Sequence, residues 1–105
     1  MDATLQKITD FAFNLRYEDL TAEAIHECKR RVLDSLGCAI GGYTAQPSTI
    51  ARAAAGSVRG ERTARVFGTL SRTTPELAAF ANGVMIRYLD LNDATGSGGG
   101  HPSDA

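Results

Sequence analysis

The stretch from Thr21 to Gly42 constrains the fold most, because it reads as one helix about twenty residues long. Thr21 is suited to cap it, and Glu23 falls in the first turn, where the positive end of the helix dipole favours an acid. Ile25, Cys28, Val32, Leu36 and Ala39 recur at helical spacing, while His26, Glu27, Lys29 and Arg30 point the other way. From Leu33 onward both sides turn apolar, through Leu36, Cys38 and Ile40, so the second half is expected to be buried all round. Gly37, Gly41 and Gly42 permit close packing and then an end. A helix of this length and pattern calls for other helices to cover it.

The rest of the chain supplies them. Residues 4–16 carry Leu5, Ile8, Phe11, Ala12 and Leu15 on one stripe, and residues 17–20 read as a connector. Gln46-Pro47-Ser48 opens a short Ala-rich helix over about 48–55, ended by Gly56. Ala64-Arg65-Val66-Phe67-Gly68 is the one strand-like run. Thr73-Thr74-Pro75-Glu76 then marks a helix start, with Thr73 as cap, Pro in the first turn and Glu76 three residues on. Leu77, Phe80, Ala81, Val84 and Tyr88 would form the inner face of this fourth helix, which should fade between Leu89 and Asn92. The expected fold class is all-α, with about four helices and one short extended segment.

At 105 residues the chain is one domain at most. Eleven basic residues against twelve acidic ones, a net charge of −1, exclude an electrostatic nucleic-acid or anionic-membrane binder. The short basic stretches, Lys29-Arg30-Arg31 and Arg59, Arg62, Arg65, read as solvated faces. No basic-then-apolar leader opens the chain, and no apolar run approaches about 18 residues, so neither a secretion signal nor a membrane span is expected. Cys28 and Cys38, on one helix, would lie about 15 Å apart, too far to bridge. Both read as small buried hydrophobes, and free thiols fit a cytoplasmic or organelle-interior setting.

The chemistry gathers at the end. Asp90 and Asp93 would share a face if the helix continued, with Arg87 one turn before Asp90. Such a group can be a structural ion pair, a metal site or an acid/base set; for metal, one nearby His and two Asp fall short of a known ligand motif. His101 follows a Gly-rich run, residues 96–100, where amides can approach an anion and an imidazole can act near neutral pH. The run lacks the Gly-Lys-Ser/Thr of a P-loop and does not link a strand to a helix as a dinucleotide fingerprint does. His26 reads as plain surface. The chain stops soon after His101-Pro102, which leads to the expectation that it is a piece of a longer enzyme.

The stretches Ala78-Ala79-Phe80-Ala81-Asn82-Gly83, Arg87-Tyr88-Leu89-Asp90-Leu91-Asn92-Asp93 and His101-Pro102-Ser103-Asp104 closely resemble the MmgE/PrpD family. Leu15-Arg16-Tyr17-Glu18-Asp19-Leu20 and Arg31-Val32-Leu33-Asp34-Ser35-Leu36-Gly37-Cys38 are similar to its N-terminal helices. The resemblance covers essentially the whole chain and implies the N-terminal portion, residues 1–105, of that family's helical domain. The implied activity is a cofactor-independent lyase acting on small tricarboxylates or related acids, usually as a homodimer. Dehydration of the 2-methylcitrate type ranks ahead of decarboxylation of the cis-aconitate type.

Carried over residue by residue, Asp90 and His101 match the family's active-site aspartate and His-Pro histidine. Asp93 matches its second aspartate; with Thr95, Gly99 and Gly100 it forms the implied substrate-binding set. Where the family has a threonine after Asn-Asp this chain has Ala94, leaving Thr95, one residue later, as the substitute. The family's further catalytic lysine and histidine, and its lid, fall beyond residue 105, so the chain alone is expected to be inactive. The alternative is a non-catalytic helical module that serves only in packing or self-association.

Overall fold

A computed structural model describes residues 2–58, 61, 63–96 and 100–102. Its element order is α1 (Ala3–Asn14), a 3-10 turn (Tyr17–Asp19), α2 (Ala22–Gly42), α3 (Gln46–Gly56), β1 (Ala64–Arg65), β2 (Arg72–Thr73) and α4 (Pro75–Arg87). No described helix is long and apolar enough to cross a membrane. The all-α expectation holds: the two strands form only an antiparallel clip, Ala64 opposite Thr73 and Arg65 opposite Arg72.

The caps follow the sequence. The Asp2 carboxylate accepts from the Thr4 amide at 2.8 Å and opens α1. Thr21 Oγ1 accepts from the Ala24 amide at 3.1 Å and opens α2, which runs to Gly42 as its glycines imply. The start of α4 differs by one residue, because Thr74 is the cap and Thr73 belongs to β2. Thr73 is drawn inward because its buried hydroxyl donates to the Ala55 carbonyl at 2.6 Å, satisfying an acceptor in the last turn of α3. β2 also gives the extended segment a partner that the sequence reading lacked.

α4 packs against α2 on one side and α3 on the other. The core between them is made of small side chains, Ala39, Ala51, Ala55 and Ala81, with Val66 and the fully buried Met85 as its larger members. Small residues let the helix backbones approach. At the α2–α4 crossing, a Cβ on Gly42 would run into the Met85 carbonyl. Arg52 of α3 fixes the corner after α2. Its guanidinium lies 3.8 Å from the centroid of the Tyr43 ring and donates to the Tyr43 carbonyl at 2.6 Å. Asn82 of α4 ties the clip down, accepting from the Phe67 amide at 2.9 Å and donating to the Arg65 carbonyl at 3.1 Å.

Burial is narrower than the apolar pattern implies. On α4 the buried stripe is Ala78, Ala81 and Met85, while Phe80 and Tyr88 are exposed. On α2 only Cys38, Ala39 and Gly42 are buried. Leu33 is 73% exposed and Ile40 77%, so the second half of α2 is not enclosed. Cys28, expected to be buried, is exposed. α1 buries none of its residues, and Leu5, Ile8 and Phe11 are left bare. The radius of gyration, 16.3 Å, exceeds the ~13 Å of a compact domain of this length.

Candidate active site

The site begins where α4 stops. Arg87 closes the last turn, and Asp90 takes a left-handed backbone conformation at φ 52° that ends helical continuation. The two aspartates therefore do not share a helix face. The Asp90 side chain is 76% exposed, whereas that of Asp93 is 8% exposed and turned against α2. Arg87 braces the bend: its Nη1 lies 3.4 Å from Asp90 Oδ1 and donates to Asn92 Oδ1 at 3.1 Å. Asn92 itself is buried.

The Gly-rich loop returns its histidine to this bend. Thr95 closes the loop at its neck, its amide and hydroxyl both donating to the Gly100 carbonyl at 2.9 and 3.1 Å. Beyond the neck, His101 Nδ1 lies 2.6 Å from the Asp93 carbonyl oxygen. A carbonyl only accepts, so Nδ1 carries the proton and donates; in the neutral ring Nε2 then holds the lone pair. Nε2 faces Asp90, with Oδ1 3.9 Å away. That is too long for a hydrogen bond.

Asp90, Asp93 and His101 are thus gathered at one place, with Thr95 and Gly100 forming the neck behind them. The Thr95 hydroxyl is engaged in loop closure. Gly99 lies outside the described residues, as do Arg59, Arg62, Ser103 and Asp104. Among the described residues no group of three or more His, Cys, Asp or Glu is arranged to hold a metal ion.

Arg31, read as part of a solvated basic face, joins the site instead. Its Nη1 donates to Asp93 Oδ2 at 2.8 Å, linking the middle of α2 to the loop. Helical spacing held a signal for it: Cys28, Arg31, Ser35 and Cys38 step by three and four along one stripe. Beside this link lies an open cavity of about 480 Å³ lined by Cys28, Arg31, Val32, Ser35, Leu36, Phe67, Ile86 and Pro102. Burial pushes the Cys38 thiol up, with the neighbouring Asp34 and Asp93 charges adding to the effect.

A helical body that presents an aspartate and a loop histidine at the end of a packed helix is a scaffold for acid/base chemistry. The chain belongs to the MmgE/PrpD family, whose N-terminal domain it matches over residues 6–105. It is 36% identical over 108 residues to an alkylcitrate dehydratase of a fungal species, covering 98% of this chain and 21% of that relative. It is 35% identical over 106 residues to the 2-methylcitrate dehydratase of Cupriavidus necator, with the same coverage. The 2-methylcitrate dehydratase of Salmonella typhimurium is 36% identical over 107 residues. The chain thus spans about a fifth of the length of the curated relatives it matches, 21% in each case. No solved structure matches it.

Proposed function

We propose that this chain is the N-terminal portion of a dehydratase that eliminates water from a small tricarboxylate of the 2-methylcitrate type, with His101 as its acid/base group. The observation that carries the reading is the pairing of His101 Nδ1 with the Asp93 carbonyl, which leaves Nε2 as the reactive nitrogen facing Asp90. In the forward step Nε2 takes the proton from the carbon next to a carboxylate, and the freed C–H pair forms the double bond. The C–O bond on the adjacent carbon breaks, its hydroxyl leaving as water with a proton from a general acid supplied by sequence outside residues 1–105. Asp90 balances the imidazolium while the double bond forms. Dehydration is favoured over decarboxylation because the relatives just described are named as dehydratases.

On this reading the lid and the remaining catalytic groups come from sequence outside residues 1–105, and the chain alone does not turn over. Homodimerisation and a cytoplasmic setting, the latter supported by two free cysteines, belong to the same proposal. The non-catalytic alternative draws support from the bare apolar faces of α1 and α2.

The test is an in-frame parent assayed for loss of 2-methylcitrate, beside its His101→Ala variant. Turnover should fall by about 10²- to 10⁴-fold with the thermal melt unchanged. A His101→Ala parent that turns over normally would remove His101 from the chemistry. A parent with no in-frame continuation and no turnover would leave the packing module as the better reading.

A further inference from the structure

We propose that Arg31 is a positioning residue for His101: by holding the Asp93 side chain on α2, it places the Asp93 carbonyl that selects the histidine's tautomer. The inference rests on the reading of His101 as the acid/base group. Between Arg87 and His101 the described residues form no helix or strand, and Asp93 lies 62 residues from Arg31 in sequence. The ion pair at 2.8 Å is therefore a tether between a long helix and an irregular loop. The same residue whose carboxylate is tethered offers the carbonyl that accepts from His101 Nδ1 at 2.6 Å. Loosening the Arg31 end of the link weakens the hold on the carbonyl, and with it the preference that leaves Nε2 unprotonated.

The Asp93 side chain is 8% exposed against α2, so removing Arg31 takes the cation from a buried carboxylate, and that loss is costly. Arg31 is half-buried and walls the same cavity as Pro102, the residue after His101. Tether and histidine loop thus share one small region.

The experiment is long-range proton–nitrogen NMR on the 105-residue chain with labelled histidine. His26, exposed on α2 five residues before Arg31, is the internal reference. In the wild type, neutral His101 should be chiefly the Nδ1–H form. In Arg31→Gln that form should fall by about twofold or more, towards the His26 pattern, and Arg31→Lys should restore most of it. Asp93→Asn keeps the carbonyl and the side-chain size but removes the charge, and should act like Arg31→Gln. It decides the matter if Arg31→Gln loses its cooperative melt. An unchanged Nδ1–H form in a folded Arg31→Gln or Asp93→Asn variant overturns the positioning role alone. A wild-type His101 that is chiefly Nε2–H overturns the acid/base reading and this inference together.

Discussion

Cys28 and Cys38 lie ten residues apart on one helix, yet their surroundings differ: Cys28 is exposed beside the cavity, and Cys38 is buried near two carboxylates. Because the Cys38 thiol is pushed up, it holds even less thiolate at neutral pH than an ordinary cysteine. Maleimide labelling of the native chain followed by mass spectrometry should modify Cys28 alone, with Cys38 reacting only on unfolding. Rapid native labelling of both would contradict the burial described for α2. At this scale Asp90 and His101 could be picked out as candidates, one at a helix end and one after a glycine run, but their approach to 3.9 Å could not, because the loop between them decides it. Arg31 was not picked out, because a basic triplet on a helix looks solvated until one of its members is found to face a buried carboxylate.

The elements extend the argument through their ends and crossings. Where α2 meets α4, Gly42 is required by the approach of the Met85 carbonyl, so Gly42→Ala should destabilise the chain by about 1–3 kcal/mol in chemical denaturation. Gly41→Ala should cost less, since the obstacle there is the movable tip of the Leu89 side chain, 2.7 Å from the added carbon. An unchanged midpoint for Gly42→Ala would refute the close crossing. At the start of α4, Glu76 is held below the ordinary glutamate value of 4.5 by its own backbone amide and then by the Thr74 hydroxyl. A depressed folded value means the charged form stabilises the fold above the unfolded pKa and is lost as pH falls through the folded one. Wild type should therefore melt above Glu76→Gln at about pH 6, and the two should converge as the pH falls through the folded value. Helix starts at Thr21 and near Pro75 were readable from caps. Assigning Thr73 to a strand was not, because its determinant is a carbonyl eighteen residues away on α3.

For the whole molecule, the salient fact is how much apolar surface the four helices leave open. Phe13 is 89% exposed, and Leu5, Ile8, Phe11, Leu33 and Ile40 are all bare. Faces of this kind drive association in water. The 105-residue chain should sediment as concentration-dependent oligomers. Ile8→Glu with Phe11→Glu should shift it towards monomer without lowering the melting temperature, because α1 buries nothing. A dilution-independent monomer in the wild type would refute this. The apolar periodicity announced which faces want cover. It could not announce whether this length of chain provides it, since the same stripe is written whether the covering helix lies within the sequence or outside it.

The neck between Thr95 and Gly100 separates two quantities that a loop usually couples, its length and the destination of its far end. With both Thr95 donors on one carbonyl, His101 is delivered from a fixed gate. The place of the imidazole is thereby tied to a contact between the two residues that meet at the foot of the loop.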